Sequence, residues 1–226
     1  MEQEEPKKKY LAISSISMLG RCETKLLEAL SRTRKPTMAM AAGTVEHKNL
    51  AGKLPRMTKE QIISGIKAGH RIEARELMIY DPKSRICGRI DHLQTTGLFE
   101  GGRQTSFIID DKYPSSPERI YGITLPYKIQ LAGYAVALSN SEDYGTICKV
   151  IGTQLRYREN GTHKIIRQYS MNSARLGACL ANMGSAIGDA WALYERKREP
   201  KHRRLDVEEG VWTECHCEQS RWQRKG

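Results

Sequence analysis

Residues 106–112, SFIIDDK, decide the fold, because an apolar segment runs there directly into two carboxylates and a lysine. The apolar half predicts a buried β-strand, since aromatic and β-branched side chains favour strands. Side chains alternate between the two faces of a strand, so Asp110 and Lys112 share one face and Asp111 lies on the other. A salt-bridged sheet edge would explain this cluster if no second acid were available nearby.

A second acid follows the preceding predicted strand, RICGRIDHL (residues 85–93). Ile86 and Ile90 alternate with polar positions, which predicts that Asp91 ends this strand on the face opposite the isoleucines. An isolated aspartate at a strand end is more often a turn former. Beside Asp110 on an adjacent strand, however, Asp91 completes a pair of carboxylates.

Two adjacent carboxylates and a lysine suffice for phosphodiester hydrolysis. Oxygen ligands are those that Mg²⁺ prefers, and it commonly uses one or two protein carboxylates beside substrate phosphates. A bound ion can lower the pKa of a water molecule and polarise a phosphoryl oxygen. The ammonium of Lys112 would then orient the attacking water or offset charge that develops on the phosphate.

The hydrophobic periodicity on either side of the two strands that carry Asp91 and Asp110 predicts the element order α, α, β, β, β, α, β, β, α. This order indicates a mixed sheet with helices packed on it. The first helix lies within residues 14–30, and the capping box of Thr58 and Gln61 begins the second. The helix over residues 124–139 places Gln130 and Tyr134 on one face, because they are four residues apart. The remaining segments are strands at 71–80, 85–93, 104–112, 144–159 and 162–171, and a last helix at 173–198.

The 226 residues carry a formal net charge of +11, which attracts polyanions such as nucleic acid but is shared by other basic proteins. No apolar run is long enough to cross a bilayer, so we expect no membrane partner and a cytoplasmic, intracellular protein. We expect a charged tail at residues 1–9, one domain at 10–199, and a basic tail with cysteine and tryptophan at 200–226.

The ordered motifs resemble the signature of the RecB-like PD-(D/E)xK nucleases, in which a histidine precedes G-x-x-D, D/E-x-K and Q-x-x-x-Y. The opening ISSISMLGRCE (13–23) is also similar to the start of the small CRISPR-associated RecB-like exonucleases. The resemblance implies an α/β, restriction-endonuclease-like core with a central mixed β-sheet of about five strands flanked by α-helices. The matching motifs are GTVEH (43–47), GRID (88–91), IIDDK (108–112) and QLAGY (130–134).

The resemblance also implies roles for individual residues. His47, Asp91 and Asp110 become metal ligands for Mg²⁺ or Mn²⁺, Lys112 becomes the catalytic lysine, and Asp111 adds its backbone carbonyl. A histidine ligand fits Mn²⁺ better than Mg²⁺, which prefers oxygen ligands only. Gln130 and Tyr134 would position the DNA beside the site; the alternative is that Tyr134 is a core aromatic.

Many of the CRISPR-associated relatives hold an iron-sulfur cluster with one cysteine on the first helix and three near the C terminus. Cys22 matches the first position, but only Cys215 and Cys217 follow at the other end, whereas a cluster usually takes four thiolates. His216, Cys179 or Cys148 could supply a fourth ligand for a cluster or for zinc. Cys22 also suits a buried free thiol, because it lies on the apolar side of its predicted helix.

These features predict a metal-dependent DNA nuclease, an exonuclease acting on DNA ends or single strands. The partners would be DNA and proteins of CRISPR adaptation or recombination, with a homo-oligomer as a further option. One alternative is a nucleic-acid-binding adaptor with this fold and no turnover. Another is a restriction-type endonuclease subunit.

Overall fold

The computed structural model describes residues 9–31, 44–46, 49–50, 52, 57–114, 120, 122–215 and 217. Their centre is a mixed β-sheet in which β3 pairs with β2 and β4, both antiparallel, and β5 pairs parallel with β4 and antiparallel with β6. The short β1 lies parallel to the start of β3. The strands are β1 (Leu11–Ala12), β2 (Glu73–Asp81), β3 (Ile86–Glu100), β4 (Arg103–Lys112), β5 (Cys148–Arg158) and β6 (Ile165–Met171).

Helices flank this sheet, which confirms the predicted mixed sheet of about five strands, with β1 as an additional short strand. Parallel strands cannot be joined by a tight turn, and the connection from β4 to β5 contains α4. The helices are α1 (Ile13–Ile16), a 3₁₀ helix (Ser17–Gly20), α2 (Glu23–Leu30), α3 (Lys59–Lys67), α4 (Leu125–Asn140) and α5 (Ser173–Tyr194). Within the described residues, none of them is both long and apolar enough to span a membrane.

The first helix, predicted within residues 14–30, is divided in the structure into α1, the 3₁₀ helix and α2. Cys22 has extended backbone angles and stands at the N-cap of α2. The 3₁₀ turn before it passes very close to the start of α4, since a Cβ built on Gly20 would lie 2.5 Å from the backbone nitrogen of Pro126. Close packing against α4 accompanies this break in the helix.

Side-chain caps begin two of the other helices, and the cap of α3 is the one that the sequence predicts. The Thr58 side chain accepts from the Gln61 backbone amide, and the Gln61 side chain accepts from that of Thr58, as in a complete capping box. Asn172 caps α5 by accepting from the Arg175 backbone amide at 3.0 Å. Helix α4 is buried on most of its surface, so its apolar residues form the centre of the core between the sheet and α5.

A second, two-stranded sheet follows α5. Its strands are β7 (Arg203–Asp206) and β8 (Val211–Glu214), which pair antiparallel with Arg203 opposite Glu214. Lys128 of α4 reaches this hairpin through ion pairs with Asp206 and Glu208 at 3.1 and 2.7 Å. The hairpin is therefore tied to the main body of the fold.

Candidate active site

The two predicted acids meet at an irregularity in the sheet. Strand β3 continues to Glu100, so Asp91 lies inside the strand and the prediction that it ends there is wrong. The core residues Ile90 and Leu93 are three positions apart, which breaks the period of two around Asp91. Across from it on β2, Glu76 has a φ of 53°, in the left-handed region that is unusual for this residue type.

This irregularity accompanies the convergence of Asp91, Asp110 and Lys112. The antiparallel register pairs His92 with Ile109, so Asp91 lies opposite Asp110 in the next pair. The carboxylate of Asp91 accepts the backbone amide of Asp111 at 2.9 Å, and the Lys112 ammonium lies 2.7 Å from Asp110 Oδ2. Asp110 is buried, whereas the side chain of Lys112 is 23% exposed, so the group opens to solvent at one side.

Two acids share one ammonium in this site. Burial, and then the neighbouring carboxylate of Asp110, raise the pKa of Asp91 well above its ordinary value. Burial lowers the pKa of the Lys112 ammonium, but Asp110 and Asp91 outweigh it, so this pKa is raised. Lys112 therefore stays protonated in the working pH range, and the arrangement favours an additional cation.

Gln130 and Tyr134 of α4 complete the helix-facing wall of this site. Gln130 Nε2 donates to the Tyr134 hydroxyl at 3.0 Å and to Asp110 Oδ1 at 3.4 Å. The Tyr134 ring is 5% exposed and occupies the space beside Gly88, where a Cβ would lie 2.6 Å from the ring. A glycine is therefore needed at position 88, because a larger residue would clash with the Tyr134 ring.

Asp111 lies on the opposite face of β4, as alternation predicts. Its carboxylate pairs with Arg158 Nε at 2.6 Å and lies 3.7 Å from Arg75 Nη1. Only the backbone of Asp111 is close to Asp91 and Asp110, because its amide donates to the Asp91 carboxylate.

Sequence reasoning missed the polar cluster on this second face. Arg158 is buried, and its Nη1 donates to the His163 carbonyl oxygen at 2.7 Å. His92 is 2% exposed; burial, and then Arg75, Arg156 and Arg158, lower its pKa to about 3. One signal in the sequence could have indicated this cluster. Arg156 and Arg158 are two residues apart on one strand, so both side chains lie on the same face of the sheet as Asp111.

His47, the predicted histidine ligand, lies outside the described residues, as does His216. The preceding residue, Glu46, is described: its Oε2 accepts the Gly161 backbone amide at 3.2 Å and lies 3.5 Å from His163 Nδ1.

The three predicted cysteine ligands lie together. The sulfur of Cys215 is 2.7 Å from that of Cys22 and 2.9 Å from that of Cys217. His202 Nδ1 lies 3.2 Å from Cys217 Sγ, and the four ligand atoms are all within 4.8 Å of one another. Cys148 and Cys179 belong instead to the hydrophobic core, so they are not part of this group.

Comparisons with solved structures identify relatives of the fold. A provisionally named exonuclease from Eubacterium rectale has 15% sequence identity and a TM-score of 0.54, with 96% of this chain and 89% of that chain covered. The alkaline exonuclease LHK-Exo from Laribacter hongkongensis has 12% identity and a TM-score of 0.45, with 84% and 90% covered. At these identities the likeness to the first structure is one of fold. No protein-family model matches the chain, and no curated protein matches its sequence.

Proposed function

We propose that this protein is a metal-dependent DNA nuclease that hydrolyses phosphodiester bonds as an exonuclease at DNA ends or on single strands. The observation that carries the proposal is the convergence of Asp91, Asp110 and Lys112 beside Gln130. The ordered motifs and an exonuclease-like fold support the same reading. The net charge of +11 supports a polyanionic substrate.

The donor set fits a hard divalent cation, because two carboxylates meet in a partly buried site with only one ammonium. Asp91 and Asp110 would hold Mg²⁺ or Mn²⁺, with His47 and the Asp111 carbonyl as further proposed ligands. When bound, the ion supplies an activated water and polarises a phosphoryl oxygen.

The chain's own residues then have separate tasks. Lys112 stays charged, so it acts as a fixed cation that orients the attacking water and offsets charge on the phosphate, and it is not a base. Burial and Asp110 raise the pKa of Asp91, and a bound cation would lower it again by favouring the carboxylate form. Gln130 holds the Asp110 carboxylate through its amide.

Tyr134 contributes through Gln130. Burial, and then the carboxylates of Asp110 and Asp91, raise the pKa of its hydroxyl, so the phenol stays neutral. With its ring 5% exposed, it has little surface on which a base could stack. We therefore propose that Gln130 and Tyr134 position the DNA by orienting the acid site.

The decisive experiment measures cleavage of end-labelled linear duplex, single-stranded and closed circular DNA with Mg²⁺, Mn²⁺, Ca²⁺ or chelator. We expect cleavage of linear DNA with Mg²⁺ or Mn²⁺, and loss of about 100-fold or more in Asp91→Ala and Lys112→Ala. Glu28→Ala, which removes an exposed carboxylate on α2, is the matched control.

Each other outcome would replace the proposal. Wild-type activity in both variants would remove the assigned site, and cutting of closed circles would indicate an endonuclease. Tight DNA binding without turnover under any metal would indicate an adaptor. We further propose service in CRISPR adaptation or recombination, which co-purification of the chain with partner proteins from its own host would test.

A further inference from the structure

We propose that Cys22, His202, Cys215 and Cys217 bind one tetrahedral ion of the zinc class, which fastens the β7–β8 hairpin to the start of α2. The proposal is independent of the nuclease assignment, because it concerns a different part of the fold. It also differs from the iron-sulfur cluster that the family resemblance implies.

The ligand set comes from three segments that the fold brings together. Cys22 stands at the N-cap of α2 and is buried, and Cys215 and Cys217 follow β8. His202 immediately precedes β7, and its carbonyl oxygen accepts the Cys215 backbone amide at 3.1 Å. The hairpin register, with Arg203 opposite Glu214, therefore carries the histidine to the cysteines.

Spacing of the ligand atoms distinguishes one ion from a cluster. Metal–sulfur bonds of about 2.3 Å in a tetrahedron give sulfur–sulfur edges of about 3.8 Å. The three sulfur–sulfur distances are 2.7, 2.9 and 3.4 Å, so a single ion requires the sulfurs to separate by about 1 Å or less. A four-iron cluster lies between its cysteines and needs wider spacing, and it normally takes four thiolates.

Three thiolates and one imidazole are a common ligand set of structural zinc. All four positions are supplied by the chain, so such an ion would have no open position for substrate water. This closed set indicates a structural role, unlike the carboxylate site on the sheet.

A network of ion pairs around the buried Glu23 holds the same segments beside each other. Glu23 follows Cys22, is fully buried, and accepts from Arg198, Arg203 and the Lys201 backbone amide at 2.7 to 2.9 Å. Two of these donors, Lys201 and Arg203, flank His202, so the histidine is placed before any ion arrives. The hydroxyl of Thr24 also donates to the Cys22 sulfur at 3.1 Å, as an outer-shell partner would.

The test is elemental analysis of the full chain, purified with and without oxygen, together with its visible spectrum. We expect about one zinc per chain and no stoichiometric iron or sulfide. Replacement by Co²⁺ should give the visible absorption of a tetrahedral cobalt–thiolate centre. Zinc content should fall about tenfold or more in His202→Ala and Cys217→Ser, whereas Cys87→Ser, a half-buried cysteine outside the group, should keep it.

Other results would overturn the proposal. Equimolar iron and sulfide would establish a cluster, and a chain without metal whose mass is lower by two hydrogens would establish a disulfide. Full zinc content in both ligand variants would place the ion elsewhere. If the variants do not fold, thiol modification of the wild type, located by mass spectrometry, decides: zinc should leave as Cys22, Cys215 and Cys217 react, and metal release without modification of these three would refute the ligand set.

Discussion

Asp110 and Asp111 are neighbours in the chain, but they lie in opposite electrostatic environments on the two faces of β4. On the helix-facing side, Asp110 and Asp91 share one ammonium, that of Lys112, so acids outnumber cations. On the other side, Asp111 is paired with Arg158 and lies near Arg75, which also pairs with Glu73 at 3.3 Å, so the acids there face arginines.

Residue type alone therefore does not decide the role of a carboxylate. An acid surplus that raises a pKa costs free energy until a cation enters, and it is typical of a binding site. A carboxylate paired with arginines has its charge compensated without a bound ion, and it holds the fold together. Four predictions test this contrast, in order of decreasing effect.

The first prediction is that Asp111→Ala lowers the free energy of unfolding by about 3–5 kcal/mol, because it leaves the buried Arg158 without its partner. Urea unfolding measures the change. Glu28→Ala, which breaks the exposed pair with Lys25, should cost about 0.5 kcal/mol or less. Equal losses in the two variants would show that the Asp111 pair has no special structural role.

The second prediction compares the neighbours in catalysis and rests on the proposed function. Asp110→Asn should reduce DNA hydrolysis about 100-fold, equivalent to about 2.7 kcal/mol in activation free energy, because it removes a metal-binding charge. Asp111→Asn should keep most of the activity per folded molecule, since its side chain lies on the other face. Single-turnover rates normalised to folded protein measure both, and equal losses would erase the functional contrast between the faces.

The third prediction concerns the packing of the helix-facing side. Gly88→Ala should lower the free energy of unfolding by about 1–3 kcal/mol, because the added Cβ meets the Tyr134 ring at 2.6 Å and Ile13 Cδ1 at 2.9 Å. Gly184→Ala in α5 is the matched control, since nothing lies within 4 Å of its added Cβ. It should be neutral or stabilising by up to about 1 kcal/mol. Thermal and urea unfolding of both variants would show whether this contact is as tight as the structure indicates.

The fourth prediction extends the contrast to Glu208, which, like Asp111, faces two cations. Hydrogen bonds from Arg175 and Lys128 lower its pKa from 4.5 to about 2. Because its pKa is lower in the folded state, Glu208 stabilises the fold at pH values above its unfolded-state pKa. This contribution is lost as the pH falls from about 4.5 towards about 2. Glu208→Gln should therefore cost about 1 kcal/mol at pH 7, after allowance for solvent screening.

Urea unfolding of the wild type and Glu208→Gln at pH 7, 4 and 3 would check that sign. The difference between them should shrink as the pH falls. A difference that stays constant with pH would mean that the glutamate stabilises the hairpin by packing and not by charge.

Local patterns in the sequence predicted the sheet, its flanking helices and the pairing of Gln130 with Tyr134. These features depend on periods of two and of four residues, which the backbone imposes on any strand or helix. The same reasoning correctly placed Asp110 and Lys112 on one face and Asp111 on the other. It failed at Asp91, because the irregularity opposite Glu76 has no local signal and depends on the pairing of β2 with β3.

Periodicity and one capping motif in the sequence were enough to predict which side chains alternate, that Thr58 and Gln61 cap a helix, and that Asp110 and Lys112 share a face. Only the tertiary structure decided that Tyr134 packs beside Gly88, that arginines surround Asp111, and that His202 joins three cysteines. The physical reason is distance along the chain. Neighbouring positions are related by fixed backbone geometry, whereas segments far apart meet only after the core has packed and the strands have found their register.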